Sequence, residues 1–239
     1  MVAVSLLSTQ SVSRHFGGLI AVQNVDFDLP KGEIRALIGP NGAGKTTFVS
    51  MLCGRIPVSS GRIMFQGQDV TQLAAHKRIR QGMADTLQTP SIFAELSVYE
   101  NVALAVQPRL SNAINKLAQE VETALTRVGL QAYSERTAGD MAYGHQRLLE
   151  VAMGLGQSPQ LLILDEPTQG LSDAEVDDFI TLIKEVAETT TVLLIEHNIN
   201  VVMALADRIT VMNFGEIIAE GSPEEIRQND AVQTAYLGG

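Results

Sequence analysis

Gly39-Pro40-Asn41-Gly42-Ala43-Gly44-Lys45-Thr46 decides the fold of this chain. The eight residues fit the pattern G-x-x-x-x-G-K-[ST], whose backbone N–H groups cradle a run of phosphates. In that pattern Lys45 reaches the β- and γ-phosphates and the Thr46 hydroxyl coordinates Mg²⁺. The glycines allow turns and close approaches that a Cβ blocks. The flanks agree. Glu33-Ile34-Arg35-Ala36-Leu37-Ile38 reads as a short buried strand running into the loop. Residues 45–54, with Thr47 in the first turn, read as a helix whose positive end faces the anion.

A second element completes the chemistry. Leu161-Leu162-Ile163-Leu164-Asp165-Glu166 is an apolar strand ending in two carboxylates. Nucleotide hydrolysis at a phosphate loop needs an acid at such a strand end to hold Mg²⁺. Asp165 is the metal candidate, and Glu166 is placed to polarise the attacking water.

Working outward, Val25, Phe27 and Leu29 alternate with polar residues as in a half-buried strand, and Ser60-Gly61 opens another over 62–66. The spacing predicts helices at 73–82, from Ser97 to about 107, and at 113–129. Ser172 caps a helix to about 188. A buried strand is expected at 191–196, a short helix at 198–206, a hairpin over 208–219, and one final helix from Ser222. Strand-rich segments thus flank a helical stretch at about 92–157.

Composition narrows the function. The chain has 239 residues and a net charge of −10, with 17 basic against 27 acidic residues. That balance disfavours nucleic acid as the main partner. The single Cys53 cannot form an intramolecular disulfide and reads as a small core residue. No apolar run approaches the ~20 residues of a membrane span. The opening Met1-Val2-Ala3-Val4 lacks the basic and apolar regions of a signal peptide, so the cytoplasm is expected.

The motifs together resemble those of the ATP-binding-cassette (ABC) ATPases over nearly the whole chain. Met141-Ala142-Tyr143-Gly144-His145 resembles the family signature, commonly Leu-Ser-Gly-Gly-Gln. Gln88 resembles the Q-loop glutamine, His197 the switch histidine, and residues 169–173 the D-loop. Phe16 occupies the place of the adenine-stacking aromatic, with Val22 padding the same base. Two departures stand out: Ala142 replaces the signature serine, and Ser172 stands where the D-loop aspartate is usual, with Asp173 next.

This resemblance implies an α/β fold: a P-loop NTPase (RecA-like) core with an antiparallel β subdomain and an inserted α-helical subdomain. One cassette is expected over 1–239, with 1–91 and 158–239 as core and β subdomain and 92–157 as helical subdomain. It implies ATP and Mg²⁺ as ligands, with Thr46, Gln88 and Asp165 on the metal. Glu166, His197, Gln88 and Lys45 are the implied catalytic set. Ala142, Tyr143, Gly144 and His145 are implied to close over the nucleotide of a second ATPase chain, identical or not. Transmembrane permease subunits on the cytoplasmic face of the membrane, and through them a solute-binding protein, are the further implied partners. Residues 16–22 and 233–239 resemble ATPases of branched-chain amino acid importers. Residues 87–93 and 170–175 look closer to those of urea and amide importers. Export and non-transport cassette machines are the alternatives.

Overall fold

The computed structural model describes residues 5–86, 91–110 and 114–237. In chain order the elements are β1 (Ser5–Phe16), β2 (Leu19–Pro30), β3 (Ile34–Ile38), α1 (Lys45–Leu52), β4 (Ser60–Phe65), β5 (Gln68–Asp69), α2 (Ala75–Arg80) and β6 (Met83–Asp85). Then come α3 (Val98–Leu110), α4 (Leu117–Arg127) and α5 (Tyr143–Gly156). The chain ends with β7 (Leu161–Asp165), α6 (Asp173–Ala187), β8 (Thr191–Ile195), α7 (Ile199–Leu205), β9 (Arg208–Asn213), β10 (Glu216–Gly221), α8 (Pro223–Arg227) and α9 (Asp230–Leu237).

Two sheets organise these elements. One has the order β10-β9-β3-β8-β7-β6, parallel from β9 through β6, with β10 antiparallel at the edge. The other is antiparallel, in the order β2-β1-β4-β5. The central strands β3, β7 and β8 are buried at every residue. The side chains of β7 and β8 alternate between two cores. Leu162, Leu164, Val192 and Leu194 pack toward α3, α4, α5 and α6, whereas Leu161, Ile163, Leu193 and Ile195 pack toward α1 and the antiparallel sheet. Burial on both faces is why these strands read as continuous apolar runs.

Local chemistry sets the helix starts. Ser97 with Glu100, and Ser172 with Glu175, form reciprocal capping boxes. The final helix expected from Ser222 is instead two. Asn229 breaks it, and its side chain accepts from the N–H groups of Ala231 and Val232 to start α9. The far end of α1 is closed by Arg78. This buried guanidinium donates to the carbonyls of Met51 (2.8 Å) and Leu52 (2.6 Å), and also to Leu73 (2.9 Å) and Thr71 (3.0 Å). The Met51 and Leu52 carbonyls belong to the last turn of α1, where the helix itself supplies no donors; Gly54 N reaches Met51 at 3.1 Å, and the arginine bonds both.

Candidate nucleotide-binding site

The loop at 39–44 has the backbone its glycines predict. Gly39, Gly42 and Gly44 have φ of 153°, 80° and 102°. A Cβ at Gly39 would lie 2.1 Å from the Met212 carbonyl oxygen, and one at Gly44 would lie 2.5 Å from that of Ala21. The turn of the β9–β10 hairpin, Phe214-Gly215, braces the loop from outside. Gly215 donates its N–H to Ala43 (2.9 Å) and accepts from Gln23 (2.8 Å). Both turn residues have positive φ, as a two-residue hairpin turn of this hand requires.

A cleft of about 340 Å³ opens over this loop. Asn41 to Thr47 line one wall, Leu19, Ile20 and Ala21 of β2 another, and Glu166 and His197 a third. Lys45 is buried and donates its Nζ to the carbonyls of Gly39 (2.6 Å) and Pro40 (3.2 Å). Burial lowers its pKa, while Glu166 and then Asp165 work to raise it. The Thr46 side chain is exposed to the cleft.

β7 delivers Asp165 and Glu166 to adjacent positions with different surroundings. Asp165 is 3 % exposed, and burial first, then the neighbouring Glu166, raises its pKa. Such a carboxylate favours a cation partner. Magnesium is held by one or two carboxylates together with substrate phosphates, and the pairing of the Asp165 carboxylate with the Thr46 hydroxyl fits that donor set. Glu166 sits at φ 49°, with its N–H donated to Ile195 O at 2.8 Å. This turn carries its carboxylate toward β8, where Glu166 Oε1 meets His197 Nε2 at 2.8 Å. His197 keeps 41 % of its side chain exposed on the cleft side of this pair.

Glu196 is a site residue that the sequence reading passed over as the end of a strand. β8 stops at Ile195, and the Glu196 carboxylate turns inward. It accepts from Thr168 N (3.1 Å) and the Thr168 hydroxyl, and from His197 N (2.6 Å) and Asn198 N (3.0 Å). The signal was an acidic residue closing a buried strand just before the histidine.

Other expected site residues are placed less uniformly. Gln88 lies outside the described residues. Just before it, Asp85 pairs with Arg55 beyond the end of α1; just after it, Ser91 N donates to Glu150 Oε1 of α5 at 3.2 Å. Phe16 stands at the tip of the β1–β2 hairpin, 45 % exposed, with the Arg14 guanidinium 4.5 Å from its ring centre. Val22 is corrected: it has no exposed surface and packs into the core beneath the loop, so it offers no face to a base.

At the signature, Ala142 is the N-cap of α5 with no side-chain cap bond, and Ala142 and Tyr143 are exposed. Gly144 is buried, and a Cβ there would meet Glu175 Oε1 at 2.5 Å. His145 packs on the Tyr133 ring with centres 4.7 Å apart. None of the four lines the phosphate-loop cleft of its own chain.

A family model described as "ABC transporter" matches residues 22–169. The chain is an ATPase of the ATP-binding-cassette family. A second model, "Branched-chain amino acid ATP-binding cassette transporter", matches residues 216–239. The cassette is 39 % identical to the high-affinity branched-chain amino acid transport ATP-binding protein LivG of Escherichia coli strain K12, over 98 % of both chains. It is 37 % identical to BraF, the protein of the same description from Pseudomonas aeruginosa, again over 98 % of both. A crystal structure of the ADP conformation of an ATP-binding cassette of an ABC transporter superposes with a TM-score of 0.88 at 28 % identity, covering 99 % of this chain and 100 % of that one. Among the described residues no helix is long and apolar enough to cross a membrane.

Proposed function

We propose that this cassette is the ATP-hydrolysing subunit of an importer, coupling closure of an ATP-bound dimer to uptake of amino acids or related small amides. The observation that carries the hydrolytic part is the contact of Glu166 with His197 on the wall of the phosphate-loop cleft. The names of the relatives and the branch-specific match at 216–239 support the import and solute class.

In this reading the N–H groups of 39–47 and Lys45 hold the triphosphate. Thr46, Asp165 and Gln88 would hold Mg²⁺, which would supply neutralisation of phosphate charge. Glu166 accepts a proton from the attacking water. His197 orients Glu166 and offers an N–H toward the γ-phosphate. Phe16 stacks on the adenine. The second cassette chain supplies its own counterparts of Ala142 to His145, so each nucleotide is enclosed only in the dimer. Separation of the halves after hydrolysis is the output. The segment following Gln88, up to Tyr99, passes it to permease subunits at the cytoplasmic face of the membrane, and the permeases receive solute from a binding protein. Residues 92–157 move as the helical unit carrying the signature.

The test is an affinity pull-down of tagged Glu166→Gln chain, with ATP, from detergent-solubilised membranes of the native host. Recovery of permeases and a binding protein for amino acids or amides is expected. Recovery of soluble partners alone contradicts the transport reading.

A further inference from the structure

We propose that Glu196 is a positioning residue for ATP hydrolysis, setting the Glu166–His197 pair by tying together the loops that follow β7 and β8. The proposal rests on the hydrolytic reading above. The backbone ladder between β7 and β8 ends at the pair Asp165 and Ile195. Beyond it the two segments carry the reacting side chains, yet among the described residues only one further backbone bond joins them, from Glu166 N to Ile195 O. The Glu196 side chain supplies what the ladder lacks. Its Oε1 takes the N–H and hydroxyl of Thr168, two residues beyond Glu166. Its Oε2 takes the N–H groups of His197 and Asn198.

Four donors converge on one buried carboxylate, and Glu196 is only 4 % exposed. Charge-assisted bonds of this kind are strong and directional. A carboxylate suits the place because it only accepts, and every partner is a donor. Moving the His197 backbone away from Glu166 pulls on Oε2, and shifting the turn at 166–168 pulls on Oε1. The two loops therefore keep one relative geometry, and the turn at 168 leads directly into residues 169–173. Among the described residues none of the Glu196 bonds reaches the phosphate loop, so its effect belongs to the hydrolytic step and not to ATP capture.

The experiment is steady-state phosphate release by the full chain. Glu196→Gln keeps the size of the side chain but turns an amide N–H₂ toward one pair of donors. It is expected to lower kcat by about tenfold or more while the KM for ATP stays within about threefold. Thr168→Val is expected to act in the same direction, and Thr168→Ser to restore the wild-type rate. The deciding comparison is made in a His197→Ala background, where Glu196→Gln is expected to change the residual rate by less than about twofold, because residues acting as a unit are not additive. A full additional loss there overturns the proposal, as does a Glu196→Gln chain with wild-type kcat or with a KM change as large as its kcat change. If Glu196→Gln does not fold, the Thr168 pair in the two backgrounds gives the same decision. Failure of the hydrolytic reading looks different: Glu166→Gln would then turn over like the wild type.

Discussion

Glu166 Oε1 and His197 Nε2 lie 2.8 Å apart, though 30 residues of chain, including all of α6 and β8, separate them. The contact exists because Asp165 and Ile195 are register partners in parallel strands, so the residues just past each strand end emerge side by side. A carboxylate held by an imidazole on the wall of the phosphate-loop cleft is the arrangement that the proposed general base needs. His197→Ala is therefore expected to lower kcat by roughly 10²-fold, with a smaller loss of ATP affinity, because the phosphate loop still holds the nucleotide. Phosphate release and fluorescent-nucleotide titration on the same preparation check both halves.

Asp165 gives a prediction about pH. Its folded pKa is raised, so between the ordinary carboxylate value of 3.8 and the folded value the native chain holds more protons than the unfolded one. Stability falls as pH rises through that window, and the ionised carboxylate is a burden at neutral pH. Without nucleotide, Asp165→Asn is expected to melt higher than wild type at pH 7. The difference should shrink as the pH is lowered toward 3.8. ATP with Mg²⁺ should reverse the order by stabilising the wild type more. Thermal melts at several pH values, with and without ATP and Mg²⁺, read out both effects.

Gly39 has no room for a side chain. Its φ of 153° and the Met212 carbonyl at 2.1 Å from a built Cβ mean that Gly39→Ala must move either the loop or β9. The expected cost is roughly 3 kcal/mol of stability together with loss of ATP binding. Gly42→Ala meets no atom within 4 Å, so its penalty comes from φ alone and should be smaller. Urea unfolding of the two variants separates clash from conformational strain.

Ala142 caps α5 without a side-chain bond. Ala142→Ser is expected to add about 1 kcal/mol to the stability of the single chain, the usual value of a serine N-cap. In the ATP-bound dimer the same hydroxyl adds a bond to a charged group, roughly 1.5–3 kcal/mol, so dimer affinity should rise at least tenfold. Melting of the isolated chain and sedimentation of the ATP-bound Glu166→Gln form measure the two effects independently.

What the sequence disclosed follows from how strongly each element is constrained. β3, β7 and β8 were legible because burial on both faces forces an unbroken apolar run, and the phosphate loop because its backbone demands glycine at fixed spacing. β1 was not legible. Ser5, Ser8, Thr9, Gln10, Ser11 and Ser13 interrupt its apolar residues, and register shifts between Thr9 and Val12 break the period of two. β6 has three residues, too few for any period to show. Phe16 and Val22 share one hairpin, yet Phe16 stays exposed while Val22 is buried. Position along a strand pair, not residue type, decides which one can meet a ligand. Glu196 was missed for a related reason: it read as the last residue of the buried strand at 191–196, and only the turn of its side chain toward Thr168 reveals the four donors around it.

The most direct test of the account is sedimentation of the Glu166→Gln chain with ATP and Mg²⁺, beside phosphate release from the same sample. The account predicts an ATP-bound dimer that holds intact ATP, releases no phosphate, and falls back to single chains when ADP replaces ATP. Phosphate release at the wild-type rate, or saturation with ATP without any change in mass, would contradict it.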